Sequence, residues 1–110
     1  MRRKNPMNVF STNDVRTMRR HAEEAAGLLK ALSHEARLLV LCELVGGERT
    51  AGELVERSAL SQSALSQHLA KLRTGGLVAT RRDAQTVFYR IADPRAARVL
   101  EVLHQIYCKR

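Results

Sequence analysis

The most constraining feature of the chain is the segment 60–73, in which apolar and polar side chains separate at helical spacing. At 3.6 residues per turn, Leu65, Leu69 and Leu72 fall on one stripe that can pack on a core. The opposite side carries short polar or small side chains, namely Ser63, Ser66, Gln67 and Ala70. Small hydroxyls and amides suit a helix that enters the major groove of DNA and bonds to phosphates and base edges. The segment therefore predicts a recognition helix.

The residues around this helix predict a winged helix-turn-helix. Ser61 is placed to cap the recognition helix, and Gly75-Gly76 to end it. Two runs rich in β-branched and aromatic residues follow and predict a β-hairpin, which forms the wing. We expect a mainly α fold with a β-hairpin wing, in the order ααααββα. The predicted elements are helices over about 14–32, 33–45, 50–58 and 61–73, strands over 78–82 and 86–91 joined by a turn at 83–85, and a last helix from Pro94.

Two further expectations concern the second helix. Ser33 has a residue type preferred at helix N-caps, and Glu35 suits the positive end of the helix dipole. The run 38–42, of sequence LLVLC, is wholly apolar. A helix that is apolar on all sides is predicted to be buried on all sides.

Length and charge restrict the class of protein. The 110 residues suffice for one domain, predicted over 13–110 after a flexible basic tail over 1–12. The formal net charge of +8 favours a polyanionic partner, although a basic surface can also serve solubility alone. No stretch approaches the ~20 apolar residues of a membrane span. No apolar run follows the basic residues 2–4. We therefore expect no membrane association, no secretory signal and a cytoplasmic location.

The candidate contacts to double-stranded DNA come from the recognition helix and the wing. Ser61 and Ser63 suit phosphates, whereas Gln62 and Gln67 can reach bases. Wing arginines can follow phosphates or enter the minor groove, although charges there also protect edge strands from pairing. His68 lies at the edge of the apolar stripe, where a half-buried histidine bonded to backbone is an equally good interpretation. The full candidate set is Ser61, Gln62, Ser63, Ser66, Gln67, His68, Lys71, Arg73, Arg81, Arg82, Gln85 and Arg90.

The residue patterns alone give little evidence for a thiol motif, a metal site or a catalytic site. Neither Cys42 nor Cys108 belongs to a Cys-x-x-Cys pair, and Cys42 is well explained as a small buried hydrophobe. His104 and Cys108 share a helix face, but two ligands make a weak metal site, so we expect no metal. No Gly-rich phosphate loop or nucleophile elbow is present. We therefore expect no enzymatic activity and no cofactor.

Several segments together resemble the ArsR/SmtB family of winged-helix repressors. They are 32–38 (LSHEARL), 60–69 (LSQSALSQHL), 76–78 (GLV) and 87–91 (VFYRI). The resemblance implies a homodimer, formed through the first and last helices, that binds an imperfect inverted repeat in DNA. The thiolate ligands of the family's arsenic and lead sensors are replaced here by Thr50-Ala51-Gly52. The Asp-x-His pattern of its zinc sensors is missing as well.

The placement of the two cysteines is similar to that in the branch of this family containing HlyU, SqrR and BigR. Members of that branch sense reactive sulfur species or oxidants through these thiols. The resemblance therefore implies redox sensing by Cys42 and Cys108, in which oxidation or polysulfide bridging changes DNA affinity. A second interpretation stays open, in which the chain is a constitutive DNA-binding anti-silencer or architectural protein with inert thiols.

Overall fold

The computed structural model describes residues 11–108, divided between one compact unit up to Lys30 and a second from Ala31. The first unit is formed by helix α1 (Thr12–Leu32), apart from its last two residues. Helix α1 begins with a capping box. The Ser11 Oγ accepts the Asp14 N–H at 3.1 Å, and the Asp14 carboxylate accepts the Ser11 N–H at 2.9 Å. The predicted N-terminal tail lies mostly outside the described residues.

The second unit contains the predicted winged helix-turn-helix. Its helices and strands, in chain order, are α2 (Glu35–Leu44), β1 (Arg49–Thr50), α3 (Ala51–Ser58), α4 (Gln62–Thr74), β2 (Val78–Asp83), β3 (Thr86–Ile91) and α5 (Pro94–Tyr107). The predicted cap of α4 is confirmed, since the Ser61 side chain accepts the Ala64 N–H. Thr50 and Glu53 form a capping box at α3, and Asp93 caps α5 just before Pro94.

The sheet has three antiparallel strands in the order β1-β3-β2. The wing hairpin is confirmed, but β1 was not predicted because two residues carry no periodic pattern. Asp83 pairs with Thr86, so it belongs to β2 and not to the turn. The turn therefore holds only Ala84 and Gln85, with Ala84 at a left-handed φ of 55°.

The core of the second unit is built on the predicted stripe of α4. Leu65, Leu69 and Leu72 are at most 3% exposed. They lie with Leu41 from α2 and Leu54 from α3, neither of which is exposed. Burying a leucine side chain contributes about 1.5–3 kcal/mol. This apolar contact fixes the rotation of α4 about its axis, so its polar side faces away from the core.

The end of α4 is set by Gly75-Gly76, as predicted. Gly76 has a φ of 78°, which a residue without a Cβ adopts at low cost. The Leu77 N–H then donates to the Leu72 carbonyl at 2.9 Å, and the Gly76 N–H to the Arg73 carbonyl at 3.0 Å. This pair of bonds closes the helix in a Schellman motif and directs the chain into β2.

Two expectations for α2 are wrong. The N-cap is His34 instead of Ser33, because the His34 Nδ1 accepts the Ala36 N–H at 3.1 Å and the helix begins one residue later. The helix is also not buried on all sides, since Leu39 is 51% exposed and Cys42 is exposed as well. Because α2 lies at the edge of a small unit, only the side of α2 that packs against α3, α4 and β3 is buried.

We expect Ala59→Gly to stabilise the protein. Ala59 ends α3 with φ 60° and ψ 13°, a left-handed conformation that strains a residue with a Cβ. The gain in unfolding free energy should be about 0.5–1 kcal/mol, measured by urea denaturation. As a control, Ala70→Gly within α4 should lower stability by about 1 kcal/mol. A loss of stability at position 59 as well would show that the strain at Ala59 is not relieved by glycine.

Candidate nucleic-acid interface and thiol pair

The outward side of α4 presents the short polar side chains that the sequence predicted. Gln62, Ser63, Ser66 and Gln67 are all exposed. Ser61 is exposed too, but its Oγ accepts the Ala64 N–H at 3.1 Å and lies 3.5 Å from the Ser63 Oγ. Ser61 therefore has a structural role as the N-cap. The helix offers amides and hydroxyls in a row, which is the chemistry that base edges and phosphates require.

Basic side chains lie at the end of α4 and on the wing. Lys71 and Arg73 are in the last turn of α4, and Arg82 is on β2. All three are exposed, and none forms an ion pair within 4.0 Å to any part of the chain between residues 11 and 108. Gln85 is exposed at the tip of the hairpin. The charges of this surface are thus available to an anionic partner.

The two neighbouring wing arginines differ in their surroundings. Arg81 is opposite Phe88 and Arg82 is opposite Val87, so the two guanidinium groups lie on opposite faces of the hairpin. Arg81 donates from Nε to the Glu48 carboxylate at 2.7 Å and stacks over the Phe88 ring at 4.4 Å from its centroid. Its hydrogen bond lowers the pKa of Glu48. Arg81 is therefore tied to the loop before β1, whereas Arg82 is not.

Arg90 lies on the same face of the hairpin as Arg81, because it is opposite Ala79 in the register. It is exposed, and its charge also contributes to the lowered pKa of Glu48. No local pattern indicates the Glu48–Arg81 pair, since the partners are 33 positions apart. Of the predicted wing contacts, Arg82 is the one whose charge is most fully available.

His68 is partly enclosed between α4 and the start of α2. Its ring centroid lies 4.6 Å from that of His34, at an interplanar angle of 56°. The Nδ1 atom is buried and has no hydrogen-bond partner among the described residues. The expected backbone bond is therefore not formed through Nδ1. Burial lowers the pKa of His68, and the charges of His34, Arg37 and Lys71 add to the effect.

This lowered pKa predicts acid sensitivity of the fold. The unfolded chain binds a proton at His68 near the ordinary pKa of about 6.5, whereas the folded chain resists it. Stability is therefore full above about pH 6.5 and falls as the pH drops below that value. We expect His68→Gln to flatten this dependence in urea titrations between pH 7.5 and 5.5. As a control, His21→Gln at an exposed position on α1 should leave the pH dependence of stability unchanged. If wild type and His68→Gln lose stability equally between pH 7.5 and 5.5, His68 is not the cause of the acid sensitivity.

The two cysteines line one cavity of about 460 Å³ between α2 and α5. Cys42 is on α2, and Cys108 is the C-cap of α5. Both are exposed free thiols, so the expectation that Cys42 is a small buried hydrophobe is wrong. Partial burial of the thiol raises the pKa of Cys42, and the charges of Cys108 and Glu43 raise it further.

Other candidate sites are not formed in the described part of the chain. Among residues 11–108, no group of three or more His, Cys, Asp or Glu side chains could hold a metal ion. At the positions of the family's arsenic and lead ligands, the Thr50 Oγ1 instead accepts the Glu53 N–H at 3.1 Å. No helix within 11–108 combines the length and apolar character that a membrane span requires.

The fold and the polar side of α4 define a winged helix-turn-helix protein of the type that contacts duplex DNA. Residues 34–80 match the sequence model of a protein family described as bacterial regulatory proteins of the arsR family. The chain belongs to the ArsR family. This assignment agrees with the resemblance in the sequence and with relatives that cover most of the chain.

Three similar proteins illustrate this relationship. The transcriptional activator HlyU of Vibrio cholerae is 48% identical over 87% of this chain and 89% of its own. Its reduced form has been solved and superposes with a TM-score of 0.79 over 84% of this chain and 98% of that one, at 49% identity. The biofilm growth-associated repressor of Agrobacterium fabrum is 47% identical over 83% of this chain and 78% of its own. The repressor BigR of Xylella fastidiosa gives a TM-score of 0.82 at 42% identity, over 87% of this chain and 98% of that one.

Proposed function

We propose that the protein is a sequence-specific transcriptional repressor that binds an imperfect inverted repeat as a homodimer. Oxidation or polysulfide bridging of Cys42 and Cys108 would switch its DNA affinity. The main support for DNA binding is the row of exposed hydroxyls and amides on α4, which face outward because three leucines on the other side of the helix are buried. The related proteins named as an activator and a repressor support regulation of transcription.

Exposed apolar side chains support the homodimer. On α5, Val102, Ile106 and Tyr107 are 53%, 62% and 80% exposed. On α1, Met18 and Leu29 are about half exposed as well. Large apolar side chains repeated along a helix surface favour burial against a partner. A second copy of the chain would cover the apolar side chains of α5 and present two recognition helices to two half-sites about 34 Å apart.

The position of the thiols supports the switch. Cys42 lies on α2, which packs against α3 and α4, and Cys108 ends α5. A covalent link between them would tie the helix behind the DNA-reading unit to the helix with the exposed apolar side chains. Such a link can change the spacing of the two recognition helices in the dimer.

One observation favours the constitutive alternative. Partial burial of the thiol raises the pKa of Cys42, and the charges of Cys108 and Glu43 add to the effect. Because the thiolate is the nucleophile, this shift makes Cys42 less reactive than an ordinary free thiol. If neither thiol reacts, the thiols are inert and DNA binding is permanent.

We expect Gln67→Ala to weaken binding to the operator by about 1–3 kcal/mol and to relax sequence preference. Gln67 is exposed on the outer side of α4, and an amide can bond to a base in two places. The operator would be selected from a random duplex library, and affinity measured by fluorescence anisotropy. Asn13→Ala removes an exposed amide from the first turn of α1 and should change neither affinity. Equal losses on operator and random DNA would show that Gln67 does not read bases.

A further inference from the structure

One face of the wing hairpin carries two arginines and an aromatic ring. The strand register places Arg81 opposite Phe88 and Arg90 opposite Ala79. These four side chains therefore lie on one face of the hairpin, which we call the arginine face. Both of its arginines are exposed, and Arg82 lies on the other face. Guanidinium groups on a wing suit DNA phosphates, because such contacts need positive charge and no particular base.

A carboxylate from outside the hairpin neutralises part of the charge on the arginine face. Glu48, in the loop between α2 and β1, accepts the Arg81 Nε–H with both oxygens, at 2.9 and 2.7 Å. The Arg81 guanidinium also stacks over the Phe88 ring, 4.4 Å from its centroid. The hydrogen bond from Arg81 lowers the pKa of Glu48, and the charge of Arg90 adds to the effect. One ionised carboxylate therefore serves two guanidinium groups.

We infer that the arginine face is a second phosphate-binding surface of the wing, and that Glu48 masks it by occupying Arg81. This inference rests on the proposed DNA binding and concerns the part of the affinity that does not depend on sequence. A carboxylate and a DNA phosphate offer a guanidinium group the same chemistry, namely anionic oxygens that accept N–H donors. Phosphate contacts strengthen binding to every DNA sequence. Masking one arginine in each chain therefore limits binding to DNA that lacks the operator, while Arg82 stays available.

The test removes the charge of the carboxylate and keeps its shape. Glu48→Gln frees one guanidinium group in each chain, so two more phosphates can be neutralised per dimer. On a random duplex, affinity at low salt should rise several-fold, and the slope of log affinity against log salt should increase in magnitude by up to about two. Glu56→Gln is the matched control, since Glu56 on α3 is exposed and forms no ion pair within 4.0 Å in residues 11–108. Its slope should match that of wild type.

Variants of Arg81 separate masking from a general change of charge. Arg81→Gln alone should leave the slope at its wild-type value, because Glu48 already neutralises the charge that is lost. The double variant Glu48→Gln/Arg81→Gln should return the increased slope to the wild-type value. The Glu48 and Arg81 side chains are 31% and 47% exposed, so loss of their pair should change the midpoint of thermal unfolding by only a few degrees.

The outcomes distinguish this inference from the proposed DNA binding. An unchanged slope in Glu48→Gln, a smaller slope in Arg81→Gln alone, or an increase that persists in the double variant would each overturn masking by Glu48. None of these results would affect DNA binding through α4. A wild-type affinity that does not change with salt would instead overturn the proposed DNA interface.

Discussion

Raising the salt concentration from about 50 to 200 mM should weaken operator binding by about 10³–10⁵-fold, if the dimer neutralises roughly six to ten phosphates. The formal charge of +8 on each chain predicts such a dependence, since binding releases counterions from the DNA. Binding curves at several salt concentrations give the slope of log affinity against log salt. An affinity that does not change with salt would contradict an electrostatic DNA interface.

Variants that each lack one positive charge should show how much single residues contribute to the slope of log affinity against log salt. Arg82→Gln should lower the magnitude of the slope by about two per dimer, because two exposed guanidinium groups without ion-pair partners in residues 11–108 are lost. Arg57→Gln is a matched control, since Arg57 already pairs with Glu43 at 3.0 Å. Its slope should match that of wild type. Equal effects of both substitutions would show that overall charge, and not the wing, determines the dependence.

Persulfide or peroxide should weaken operator binding by about 5–150-fold, corresponding to a coupling free energy of about 1–3 kcal/mol. Cys42→Ser and Cys108→Ser should each keep the reduced affinity and lose this response. The reason is that a bridge needs both walls of the cavity, and each variant removes one sulfur. Anisotropy titrations before and after treatment measure both quantities. A full response in either single variant would exclude a Cys42–Cys108 bridge as the cause.

Much of the fold could be predicted because it depends on local chemistry. The leucine stripe of α4, its serine cap and the two glycines after it determine one helix almost completely. The two strands of the wing follow from their β-branched and aromatic residues. The polar side of α4 could be predicted for the same reason, since burial of one side of a helix places the other side in solvent.

The remaining features depend on contacts between distant residues or on alternatives of nearly equal energy. Ser33 and His34 both have side chains that can accept an N-cap hydrogen bond, and only the backbone of the folded chain decides between them. The two residues of β1 extend along β3 because of the hairpin, and their own sequence carries no strand pattern. The exposure of Cys42 depends on how far α5 lies from α2, which no single segment specifies. The same gap forms the cavity, so the sequence could indicate the thiols but not their apolar surroundings.

If a bond between Cys42 and Cys108 lowers DNA affinity, peptide mass spectrometry and DNA binding on one sample must change together. The reduced dimer is titrated onto its operator, treated with persulfide, titrated again and digested. We expect a peptide pair from one chain that joins Cys42 to Cys108 through two or more sulfur atoms, in proportion to the loss of affinity. Free thiols after treatment, or a complete bridge with unchanged affinity, would contradict it.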